Sequence, residues 1–99
     1  MGASFVLFLL AGGVDPQMIQ YCQIMKAFHV GVAQDRDRNV PIFQEFNEGK
    51  KFLIMMGVDK KLYEKELNAE IQTIYEHPEA NPEEIGIMSY QYCLNTFMK

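Results

Sequence analysis

The stretch DPQMIQYCQIMKAFHVGVAQDRDRNVP, residues 15–41, predicts one long amphipathic helix that carries its own start and stop signals. Asp15 is a favourable N-cap, and Pro16 suits the first helical position. Asn39 fits the left-handed position that follows a helix, so we expect this helix to end at about Arg38. The side chains of its predicted buried face recur at helical steps of three and four: Met18, Cys22, Met25, His29 and Val32.

Three more helices are predicted, over residues 41–56, 60–76 and 82–97. Gly49 lies in the middle of the second and costs about 1 kcal/mol relative to alanine, which indicates a kink or a close helix crossing. The sequence Asn-Pro-Glu-Glu that opens the fourth helix is typical of a capping box. No two-residue alternation is sustained, and short loops favour antiparallel neighbours. We therefore expect an all-α fold, a compact four-helix bundle or orthogonal array.

Composition narrows the class of protein. The chain has 99 residues, enough for one domain with a modest core, and 48% of them are hydrophobic. A formal charge of −4 argues against nucleic-acid binding, because neutralising phosphates requires a basic surface. The spacings of known metal-binding and cofactor-binding motifs do not occur. We therefore expect neither a metal nor a cofactor, and we expect the partner to be another protein.

The first residues resemble an export signal. Residues 3–10 form an apolar run that is far too short to span a bilayer, which takes about 20 residues. Small residues at 11–13 then suit a cleavage site, although the usual basic residues are missing before the run. We interpret residues 1–13 as a signal-like segment ahead of a single helical domain, 14–99. The alternative is a short helix or strand packed on the core.

Two cysteines lie in the first and last predicted helices. Cys22 and Cys93 are 71 residues apart, and the first and last helices of an up-down bundle are neighbours, so a disulfide is geometrically reasonable. Such a bridge would agree with export, because disulfides persist in oxidising compartments. The alternative is a pair of reduced thiols buried in a cytoplasmic protein.

Several stretches together resemble a known group of proteins. They are Cys22, then Arg-Asp-Arg-Asn-Val at 36–40, Tyr-Glu-His-Pro at 75–78, Pro-Glu-Glu at 82–84, and Cys93. This pattern is similar to that of small exported all-helical proteobacterial proteins of unassigned function, with Asn39 in place of their usual glycine. A fainter similarity links the chain to periplasmic immunity proteins of type VI secretion effectors. The resemblance implies a helical fold, a disulfide and an export route, and it implies no activity.

The most function-like cluster is Arg36, Asp37 and Arg38, because two guanidinium groups can grip a carboxylate or a phosphate. The alternative is that Asp37 ties the turn between helices. Tyr75 and His77, before the fourth helix, are further candidate binding residues.

Two classes of function fit these residues. The first is an exported, non-enzymatic helical protein that binds another protein; no nucleophile motif or metal-site spacing points to an enzyme. The second is a small enzyme or ligand-binding module that uses His29 or His77 with acids from the third and fourth helices, and it predicts that both histidines converge on one pocket. A cytoplasmic interaction protein with reduced cysteines is a further alternative.

Overall fold

Four helices and short turns make up the part of the chain that the computed structural model describes, residues 15–97. The helices are α1 (Pro16–Asp37), α2 (Ile42–Met56), α3 (Lys60–Glu76) and α4 (Pro82–Phe97). No strand occurs in these residues, so the expected all-α, four-helix architecture is confirmed. The predicted signal-like segment, residues 1–13, lies outside the described residues.

Local signals set the helix ends, as the sequence predicts. The Asp15 carboxylate accepts a hydrogen bond from the Gln17 amide at 2.7 Å and caps α1. Asn39 adopts a left-handed conformation with φ 66°, which lets the chain turn away from α1. At α4, Asn81 and Glu84 form the predicted capping box, with reciprocal bonds of 3.0 and 2.8 Å. Only α2 begins later than expected, because Pro41 is its N-cap residue.

The helices pack as two antiparallel pairs. The Cys22–Cys93 disulfide joins the beginning of α1 to the end of α4, with Cα atoms 5.6 Å apart, and this confirms the expected bridge. The second pair is α2 with α3, and α1 connects the two pairs by packing beside α3. All four helices contribute to the buried core: Val32, Ala33, Leu53, Leu67, Ile71, Ile74 and Ile85.

A close crossing explains Gly49. A Cβ atom at this position would lie 3.1 Å from Leu67 Cδ2 and 3.4 Å from Ile71 Cδ1, so the glycine lets α2 approach α3. Of the two interpretations of Gly49, a kink or a close helix crossing, these distances support the close crossing.

A second glycine sets the distance between α1 and α4. A Cβ atom at Gly86 would lie only 2.7 Å from Val30 Cγ2, and valine is stiff at χ1. We expect Gly86→Ala to destabilise the protein by about 1–3 kcal/mol through overpacking, although alanine favours helix. Gly31→Ala is the matched control, because nothing lies within 4 Å of its added Cβ. It should stabilise the protein by about 0.5–1 kcal/mol. Urea denaturation of both variants is the measurement, and two changes of the same sign would contradict the prediction.

Candidate functional site

An open groove lies between the two helical pairs, at the end where α1 and α3 begin. Its volume is about 520 Å³. Its floor is apolar and comes from three helices and the α2–α3 turn: Met18, Met25, Phe52, Met56, Val58 and Leu67. Three of these six side chains are methionines, and methionine adapts its shape to a partner.

Local structure places these floor residues. Gly57 takes a left-handed conformation with φ 75° and ends α2, and Val58 bonds back to the Leu53 carbonyl at 3.2 Å. This tight turn brings Met56 and Val58 to one end of the groove. The Phe52 ring stacks on Phe28 of α1 with centroids 4.5 Å apart, which fixes α2 against α1.

The rim of the groove is acidic. Asp15, Glu66 and Glu70 line it, and the described residues place no lysine, arginine or histidine in the lining. Tyr21 lies on the same rim. Its pKa is raised above the ordinary value by burial first, and then by Glu70, Tyr63 and Glu66. Two carboxylates of the rim, Glu70 and Glu66, thus contribute to the raised pKa of Tyr21.

A hydrogen-bonded relay borders this groove. His29 of α1 lies between Ser89 of α4, with Nδ1 2.6 Å from Oγ, and Glu70 of α3, with Nε2 2.7 Å from Oε1. The histidine side chain is 12% exposed, whereas the Glu70 side chain is 41% exposed. The relay thus connects three helices and leaves its carboxylate at the groove.

A hydroxyl, an imidazole and a carboxylate are also the groups of a nucleophilic triad. A hydrolase additionally needs backbone or side-chain donors that stabilise an oxyanion beside the nucleophile. Ser89 lies inside α4, where backbone N–H groups bond to carbonyls one turn earlier. The geometry of the relay therefore fits a cross-link between helices better than a catalytic centre.

The histidine-based hypothesis also needs His77 near His29. His77 caps the end of α3, and its Nδ1 lies 2.9 Å from Glu79 Oε2 at the surface. Glu70, the partner of His29, precedes His77 by two turns of the same helix, about 10 Å. The two histidines thus have different partners and do not share a site. Within residues 15–97, no group of three or more His, Cys, Asp or Glu side chains is arranged to hold a metal ion.

Arg36 is buried and its guanidinium group is used inside the fold. Its side chain is 5% exposed. It donates to the carbonyl oxygens of Ile74 and His77 at 3.0 Å and of Ala80 at 2.7 Å. These carbonyls lie at the end of α3 and in the loop to α4. The Ile74 and His77 carbonyls also accept the amides of His77 and Ala80, so Arg36 adds a second donor to two acceptors and supplies the donor for the third. Asp37 accepts a further bond from Arg36 Nε at 3.0 Å.

The other predicted binding residues lie at the same end of the bundle. The Tyr75 hydroxyl donates to the Val40 carbonyl at 2.7 Å, and burial raises its pKa to about 12. Arg38 is exposed and pairs with Asp35. The structure thus brings Arg36, Tyr75 and the His77 backbone together, with Asp37 and Arg38 beside them. Their hydrogen bonds join the turn between α1 and α2, the end of α3 and the loop between α3 and α4.

A buried carboxyl lies next to this cluster. Glu45 of α2 is 3% exposed, and its Oε2 atom has no hydrogen-bond partner. Burial raises its pKa to about 7, helped by a hydrogen bond with Asp35 and by the charges of Asp35 and Glu48, while Arg38 opposes the shift. The carboxyl is therefore protonated in mildly acidic solution.

The raised pKa of Glu45 predicts that the stability of the protein depends on pH. Because the folded pKa of about 7 lies above the ordinary value of 4.5, the stabilisation is complete below that ordinary value and is lost as the pH rises through 7. We expect the free energy of unfolding to fall by about 2–3 kcal/mol between about pH 5 and pH 8. Glu45→Gln should remove most of this dependence in urea titrations, whereas Glu48→Gln, at an exposed position, should keep it. An unchanged slope in Glu45→Gln would contradict this account.

Sequence reasoning missed the groove and its acidic rim. The available signals were the side chains of Met18 and Tyr63, and Met18 was expected on the buried face of the first helix. Met18 and Tyr63 are in fact 36% and 43% exposed.

No protein-family model, curated protein or solved structure matches this chain. In the described residues, no helix is both long enough and apolar enough to cross a membrane.

Proposed function

We propose that this is an exported, non-enzymatic helical protein that binds another protein in the groove between its two helical pairs. The observation that carries the proposal is the apolar floor of that groove, which lies open beside an acidic rim. Apolar surface that is concave and rimmed by polar groups is typical of binding sites.

The disulfide supports the export part of the proposal. Cys22 and Cys93 are paired, and such pairs persist in oxidising compartments. The test is the mass of the protein recovered from its native host, with alkylation before and after reduction. Export requires that no alkylation occurs until the protein is reduced. Two thiols that react at once would contradict export and favour a cytoplasmic interaction protein.

Site-specific photo-crosslinking tests the binding part. A benzophenone amino acid replaces Met18, on the groove floor, or Gln72, an exposed control position on α3. We expect the Met18 probe to give one discrete crosslinked protein in cells, and that protein, once purified, to form a complex of defined stoichiometry with this chain. The absence of a complex from every probed position would overturn the proposal.

A second candidate function rests on the relay of Ser89, His29 and Glu70, which contains the groups of a hydrolase triad. A fluorophosphonate probe distinguishes the two functions. Labelling that is lost in Ser89→Ala would support a hydrolase, and no labelling of the folded protein would support the non-enzymatic proposal.

A further inference from the structure

We infer that the groove takes an amphipathic helix of the partner, whose apolar face covers the floor and whose flanks carry lysine or arginine. This inference rests on the proposed function and names the chemistry of the partner at the same site.

The dimensions of the groove favour a helical segment. Met18 and Met25 lie seven residues apart on α1, which is two helical turns or about 10 Å. Tyr63 and Glu70 also line the groove and have the same spacing on α3, so α1 and α3, the two walls of the groove, each offer two turns. A helix presents apolar side chains at positions i, i+3, i+4 and i+7, and these also cover two turns. A helix laid between the walls thus matches their length.

The negative charge of the rim favours basic residues on the flanks of the partner helix. Asp15, Glu66 and Glu70 are carboxylates, and the lining offers no basic side chain among the described residues. One carboxylate oxygen of Glu70 is hydrogen-bonded to His29, and one of Asp15 accepts a hydrogen bond from the Gln17 amide. Glu66 is exposed, and its charge contributes to the raised pKa of Tyr21. Basic flanks would be attracted to this rim, and acidic flanks would be repelled.

Two synthetic helices test the inference directly. Both are stapled peptides of about 18 residues, about one and a half turns longer at each end than the walls need. They share a leucine face and differ only in flanks of lysine or glutamate. Fluorescence anisotropy with the full, disulfide-bonded chain measures both dissociation constants. We expect the lysine peptide to bind about tenfold more tightly, with a preference that weakens at high salt.

Matched variants of this chain test whether the peptide binds in the groove. Glu66→Lys should weaken binding of the lysine peptide about tenfold. Glu76→Lys makes the same charge change on the same helix, about 15 Å away and outside the lining, and should leave binding unchanged. Met18→Ser should weaken both peptides, because it removes part of the floor. Circular dichroism confirms that each variant is folded.

Several results would overturn the inference. Equal affinities for the two peptides, absence of binding, or equal effects of Glu66→Lys and Glu76→Lys would each do so. A chain that sediments as a dimer until Glu66 is changed would assign the groove to a second copy. A Met18 crosslink to residues 1–14 of the same chain would assign it to that segment.

Failure of the inference is distinguishable from failure of the proposed function. A partner that crosslinks through Met18, while the two peptides bind equally or not at all, would overturn the inference and keep the proposed function. No crosslinked partner from any position would overturn both.

Discussion

Replacing Arg36 with methionine is expected to lower the free energy of unfolding by about 3–5 kcal/mol, because each hydrogen bond made by a charged group contributes about 1.5–3 kcal/mol. The methionine keeps much of the buried volume but removes every donor. The Ala80 carbonyl then loses its partner, and an unsatisfied buried polar group costs about 1–3 kcal/mol. The Ile74 and His77 carbonyls each lose one of two donors, because backbone amides also bond to them. Urea denaturation gives the measurement.

Arg38→Met is the matched control, because the Arg38 side chain is 70% exposed and pairs with Asp35 at the surface. It should cost less than about 1 kcal/mol. A small loss of stability in Arg36→Met, together with a loss of partner binding, would restore Arg36 as a binding residue. Equal losses in the two variants would mean that the contacts with the α3–α4 loop contribute nothing.

Removing the disulfide is expected to lower the free energy of unfolding by about 4 kcal/mol, as the chain-entropy model gives for a loop of this length. The bridge closes 71 residues, nearly the whole described chain, and so restricts the unfolded state strongly. Cys22 is also fully buried, so its loss disturbs packing between α1 and α4. Domains of this size have a total stability of about 5–15 kcal/mol, and the reduced protein should therefore be only marginally stable.

The test compares urea denaturation of the oxidised protein, the reduced protein and the double variant Cys22→Ala, Cys93→Ala. Reductant should lower the midpoint of the native chain and leave that of the double variant unchanged. The same midpoint with and without reductant in the native chain would contradict the prediction.

Sequence alone determined the helices, because their boundaries depend on local chemistry. The caps at Asp15 and Asn81 and the left-handed Asn39 act within one turn of the chain. The ends of α3 and α4 agree with the expected 60–76 and 82–97 for the same reason. The disulfide was one of two open alternatives, because spacing cannot say whether two helices meet at the right positions.

Only the tertiary structure decided which residues form the site. Arg36 reads as a surface anion grip in a charged run, yet its acceptors lie 38 to 44 residues away. The relay at His29 needs Glu70 and Ser89, which come from two other helices.

The groove depends on how the two helical pairs meet. Helical periodicity marks Met18 and Met25 as apolar positions, but it cannot tell a filled core from an open groove. Periodicity is a property of one helix, whereas a groove is the space left between several. The sequence by itself therefore determined the four helices and their ends, and the packing of those helices decided which apolar residues stay open to a partner.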